Sequence, residues 1–171
     1  MRDDHSDAGP IVRARLVRLL QMAYSSEMAA ALAYQGHSRS VRDPWQKTSL
    51  REIEGEEWIH RRIAGELLEQ LQASPRAWRE ALFGGIGRAL RFLCPFSGWF
   101  LPMFVAGLIE RINVQQYVAM ASDASALGLR AMAETLGEMA DVERRHAAFF
   151  AEVLRQRRQS QRRRPLAAPS R

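Results

Sequence analysis

Four stretches of this chain repeat apolar residues at steps of three and four, the spacing that lines one face of an α-helix. The first holds Leu16, Leu20, Ala23, Ala30 and Tyr34, with Glu27 in the same register. The second holds Ile53, Ala64, Leu67 and Leu71 with Glu57 and His60, and the third Met103, Gly107, Val114, Tyr117 and Ala121 with Glu110. The fourth runs Met132, Leu136, Met139, Phe150 and Val153 with Glu143 and His146. Alternating β-branched runs are nearly absent, whereas Ala, Leu, Glu, Arg and Met dominate, so the pattern predicts an all-α chain of four long helices.

Punctuation residues set the expected boundaries. Residues 1–9 read as a disordered N-terminus, 10–158 as the helical bundle and 159–171 as a disordered Arg-rich tail. Pro10 is placed to open the first helix and Gly36 to stop it. Asp43-Pro44 marks entry to the second helix, which is expected to end near Ser74-Pro75. Residues 76–93 predict a short amphipathic helix, and Pro95 with Ser97-Gly98 a break. The third helix is expected over 99–122, a loop over Asp123 to Gly128, and the fourth helix from there to about 158. The long segment between His60 and Glu110 suits a crossover joining two antiparallel hairpins.

The polar residues on the apolar seams carry the chemistry. Glu57-Trp58-Ile59-His60 and Glu143-Arg144-Arg145-His146 are Glu-x-x-His units, and residues three apart on a helix share a face. Each unit therefore aims a carboxylate and an imidazole at one point. Four carboxylates in a bundle core are costly unless paired or metal-bound. A lone Glu from each of two helices plus Glu-x-x-His from each of two others is the arrangement of di-iron carboxylate bundles, here Glu27, Glu57, His60, Glu110, Glu143 and His146. Carboxylate and imidazole donors suit two iron ions, with manganese as the alternative. Glu57 and Glu143 are the expected bridges, with Glu27 and His60 on one side and Glu110 and His146 on the other. Tyr34, Tyr117, Asn113 and Glu56 are candidates to support the ligands. Glu52, Glu54, Glu56, Glu66 and Glu69 read as a solvated acidic face, with orientation of a ligand histidine as the other reading of Glu56.

Composition narrows the picture. The 171 residues are the size of one domain, 47% are hydrophobic, and the net charge is +6. The single Cys94 excludes an internal disulfide framework and a four-cysteine iron site. Met1 to Pro10 is acidic and polar, unlike a secretory signal, so the expected compartment is the cytoplasm. Phe92 to Ile109 carries no charge, yet Pro95, Pro102 and Ser97-Gly98 argue against a membrane span. Just before it, Trp78, Leu82, Phe83, Ile86, Leu90 and Leu93 form one face with Arg76, Arg79, Arg88 and Arg91 around it. Such a basic amphipathic helix fits a membrane surface, on the inner face, or packing against the bundle or a second copy in a homodimer. The Arg-rich tail suits anionic lipid, nucleic acid or plain solubility, and nucleic acid is the least favoured partner.

Glu27 to Gly36 reads Glu-Met-Ala-Ala-Ala-Leu-Ala-Tyr-Gln-Gly, and this resembles the first iron helix of demethoxyubiquinone hydroxylases, members of the ferritin-like superfamily. Glu57-x-x-His60, Glu110 with Tyr117, and Glu143-x-x-His146 are similar to their other ligand motifs, over roughly residues 20–150. Gln116-Tyr117 stands where those enzymes usually carry His-Tyr, and the Arg-rich tail replaces further apolar helix. The resemblance implies a ferritin-like four-helix bundle with a long crossover containing an extra amphipathic helix. It also implies an O2-dependent di-iron hydroxylase of a lipophilic, quinone-like small molecule. The same ligand set occurs in rubrerythrins and bacterioferritins, so a ferroxidase-type or non-enzymatic iron-binding protein is the alternative reading, and an RNA-directed hydroxylase the third.

Overall fold

The computed structural model describes residues 8–162. It contains five α-helices: α1 (Ala8–Ser40), α2 (Pro44–Gln70), α3 (Ala77–Leu93), α4 (Phe100–Ala126) and α5 (Arg130–Arg162), with a 3-10 turn at Cys94–Phe96 before α4. No strand occurs among the described residues, and the architecture is an all-α, ferritin-like bundle. α1 and α2 form one antiparallel hairpin, α4 and α5 the other, and α3 lies on the crossover between them. Most residues 1–9 and 159–171, read above as disordered, lie outside the described residues, but Gln159 to Arg162 continue α5 as helix.

Local chemistry explains the ends. Asp43 Oδ1 accepts the N–H of Gln46 at 2.9 Å, satisfying a donor that the first turn of α2 leaves free, and Pro44 follows at a position where a missing N–H costs nothing. α4 closes with Gly128 at φ 72°, the left-handed conformation a helix C-terminus favours, and Leu129 N–H returns to Ala124 O.

Several boundaries differ from expectation: α2 ends at Gln70, short of Ser74-Pro75, where Gln72 turns the chain at φ 51°. Gly36 does not stop α1, which continues to Ser40. A Cβ there would collide with the Arg91 backbone, and one at Gly87 would sit 2.8 Å from Ala29 Cα. These glycines let α3 approach α1 backbone to backbone. Asp123 is not in a loop either: α4 runs through it to Ala126, and it is buried in a bidentate pair with Arg15, whose Nε donates to Oδ2 at 2.7 Å. That pairing offsets the cost of burying a carboxylate.

The buried seams form two apolar layers. One holds Leu16, Leu20, Leu67, Tyr117, Met120 and Leu136, the other Tyr34, Leu50, Ile53, Met103, Phe150 and Val153. Glu27, Glu57, His60, Glu110, Glu143 and His146 are buried with them. α3 turns its glycine side to α1 and its large side chains outward, Trp78 being 62% exposed. Phe96 and, on α4, Phe100, Leu101, Phe104, Val105, Leu108 and Ile112 are exposed as well. No helix of the described residues is long and apolar enough to cross a membrane.

Candidate metal centre

Each helix of the two hairpins delivers its polar residues to one level of the bundle. Antiparallel pairing sets Glu27 of α1 opposite Tyr117 of α4, and His60 of α2 opposite Glu143 of α5. Because the Glu-x-x-His spacing is close to one turn, both units point inward at once. The side chains meet in two groups, Glu27, Glu57, His60 and Glu143, and Glu57, Glu110, Glu143 and His146. Within each group one donor atom from every residue lies within 4.8 Å of the others. Glu57 and Glu143 belong to both.

The donor atoms lack ordinary partners. Eight buried atoms have none: Oε2 of Glu27, both carboxylate oxygens of Glu57 and of Glu143, Oε2 of Glu110, and Nδ1 of His60 and of His146. His60 Nδ1 is 2.8 Å from Glu143 Oε1 without hydrogen-bond alignment, and His146 Nδ1 is 3.4 Å from Glu57 and 3.7 Å from Glu143. Most buried polar atoms in natural proteins are paired, so eight orphans facing one another are a set that bound cations would satisfy. Hard carboxylate and imidazole donors fit iron, and these buried groups are compatible with a di-iron site.

Electrostatics point the same way. Burial raises the pKa of Glu27 and of Glu57, and pushes Glu110 up to about 8. Burial also acts to raise Glu143, but the nearby His146 and His60 rings outweigh it and hold this carboxyl below its ordinary range. His146 moves up despite its burial, because Glu110, Glu143 and Glu57 surround it. Without a cation, such crowded carboxylates share protons; divalent ions would replace those protons.

The supporting residues divide clearly. Tyr117 Oη donates to Glu27 Oε1 at 2.5 Å, and Tyr34 Oη donates to Glu110 Oε1. Glu56 Oε2 lies 2.6 Å from Nε2 of His146, on the ring edge away from the cluster. Asn113 is half-buried and belongs to neither group. Sequence reasoning had no signal for the crosswise partners of the tyrosines, which only the pairing of α1 with α4 decides.

A family model described as Rubrerythrin matches residues 106–169, the stretch that carries Glu110, Glu143 and His146. No curated protein and no solved structure matches the chain. The similarity is to the ferritin-like di-iron proteins at large and not to demethoxyubiquinone hydroxylases in particular.

Proposed function

We propose that this chain is a di-iron carboxylate oxidoreductase that uses O2 to hydroxylate a lipophilic, quinone-like molecule. The supporting observation is a water-excluded layer of six ligand-type side chains beneath a largely apolar outer surface. In this reading Glu27 with His60 would hold one iron and Glu110 with His146 the other, with Glu57 and Glu143 available to both. Bound iron would supply the redox chemistry with O2. The protein's own contribution is orientation and exclusion. Tyr34 and Tyr117 fix one oxygen of Glu110 and of Glu27, leaving the other oxygen of each turned inward. The two apolar layers keep bulk water from the carboxylates.

A groove of about 580 Å³ between α4 and α5 is lined by Phe104, Gly107, Leu108, Ala147 and Leu154 together with Arg111, Arg155, Arg158 and Gln159. Gly107 stands one turn before Glu110 on α4, and Ala147 follows His146 on α5, so the groove runs along the two helices that carry these residues. An apolar body with a polar or anionic head matches this lining. The apolar α3–α4 surface with its arginines suits delivery from an anionic membrane surface. The decisive experiment loads the full chain with Fe(II) and screens quinones and other lipophilic molecules for O2-dependent hydroxylation. Hydroxylated product supports the reading. Ferrous oxidation with no turned-over organic molecule overturns the hydroxylase and leaves an iron-oxidising protein.

A further inference from the structure

The two halves of the centre are related by sequence: each supplies a lone Glu, a tyrosine seven residues later, and a Glu-x-x-His unit. One difference lies just before the unit. In α2 the residue before the unit is Glu56, whereas in α5 it is Val142. Glu56 Oε2 sits 2.6 Å from Nε2 of His146, while its Oε1 is 4.0 Å from Arg145. With Nδ1 facing the cluster as a lone pair, Nε2 carries the hydrogen and donates it to Glu56. His60 has no counterpart. Among the described residues its carboxylate partner is Glu143 alone, and that contact is at Nδ1.

We infer that the two metal positions are unequal, and that Glu56 is the positioning residue that makes the His146 position the stronger. The inference rests on the metal reading of the cluster. A carboxylate bonded to the far nitrogen of a ligand histidine fixes the tautomer and the ring plane, and raises the basicity of the ligating nitrogen. His146 has that support and His60 does not, so an ion at His146 meets a better oriented and more electron-rich ring. Glu56 is also partly exposed, in a cleft with Ser49, Ile53, Ile59 and Phe149, so replacing it leaves the apolar layers intact.

The test is titration of the full metal-free chain with Co(II), read by visible absorption, and with Fe(II) under anaerobic conditions, read by Mössbauer spectroscopy. The wild type is expected to fill in two steps, with two distinct iron environments. Glu56→Gln should weaken the tighter step about 10- to 100-fold and move one of the two spectral components, leaving the other step unchanged. Val142→Glu should strengthen the weaker step and bring the two environments closer. Equal weakening of both steps in Glu56→Gln, or no change in either, overturns the inference while two bound ions keep the metal reading. A chain that binds no metal at all overturns both.

Discussion

Tyr117 on α4 donates its phenol hydrogen to Oε1 of Glu27 on α1 across 2.5 Å. The reciprocal bond joins Tyr34 of α1 to Glu110 of α4. Each tyrosine follows the glutamate of its own helix by seven residues and supports the glutamate of the other, so the hairpins are cross-braced at the metal layer. Both phenols titrate far above their ordinary range, through burial first and the adjacent carboxylates second, and therefore remain donors. Tyr117→Phe removes the donor and leaves a buried carboxylate oxygen unpartnered. Denaturant unfolding of the metal-free chain should show a loss of about 1–3 kcal/mol. No loss would mean that Glu27 finds another donor.

Shared and unshared ligands separate in a metal-content experiment. Glu57 and Glu143 stand in both groups, Glu27 and Glu110 in one each. The wild type is expected to hold two iron or manganese ions per chain, Glu143→Ala neither, and Glu27→Ala one. Because metal must displace protons from raised carboxyls, Glu110 at about 8 among them, affinity should climb as pH rises toward that value. Elemental analysis across pH 6 to 9, on the order of one unit per step, checks the sign. Equal loss in Glu27→Ala and Glu143→Ala would remove the bridging assignment.

The buried cluster was legible because helical periodicity fixes which residues share a seam, and Glu27, Glu57, His60, Glu110, Glu143 and His146 interrupt apolar seams in register. What periodicity cannot carry is which face a second helix touches. Gly36 has the composition of a helix stop, yet it serves a close crossing with α3. Asp123 has the composition of a loop, and only a partner far away in sequence, Arg15, makes its burial tolerable. The large side chains of α3 form a regular stripe, but the stripe faces outward because Gly84 and Gly87 pack better against α1.

That crossing gives a paired test. Gly87→Ala places a methyl group 2.8 Å from Ala29 Cα and 2.9 Å from a Leu32 methyl, so α3 must move. Overpacking of this kind costs about 1–3 kcal/mol. Gly85, on the same helix, has nothing within 4 Å of an added Cβ, and Gly85→Ala should stabilise by about 0.5–1 kcal/mol through helix propensity. Thermal unfolding of both variants reads the difference, and equal shifts would contradict the close approach.

Acid should destabilise the chain partly through His37. It is buried with Nε2 unpartnered, and burial lowers its pKa to about 4 from an ordinary 6.5. A base whose folded pKa is depressed binds fewer protons folded than unfolded between those values, so stability rises with pH across that window and is lost as pH falls. A difference of this size corresponds to about 3 kcal/mol once pH is below both values. His37→Leu should flatten the stability profile between pH 4 and 6.5 relative to the wild type, measured by denaturant unfolding at each pH. Parallel profiles would show that His37 finds a proton acceptor when charged.

The outer surface makes the last prediction. Phe96 is 78% exposed, and Phe100, Leu101, Phe104 and Leu108 continue the apolar surface along α4. Soluble chains seldom leave so large an apolar area in water without a partner. Arg88 is exposed on α3, and Arg111 and Arg158 line the α4–α5 groove. Two copies meeting through this face would bring like charges together, whereas anionic headgroups would neutralise them. The full chain should therefore float with vesicles containing phosphatidylglycerol and float less with purely zwitterionic ones. Phe96→Ser with Phe104→Ser should reduce flotation without lowering the unfolding temperature, because both side chains are already exposed. High salt should weaken binding in part only, since the apolar component is not screened. A chain that stays off both kinds of vesicle, and sediments as a dimer that the double substitution splits, would assign this face to self-association and remove the membrane route to the groove.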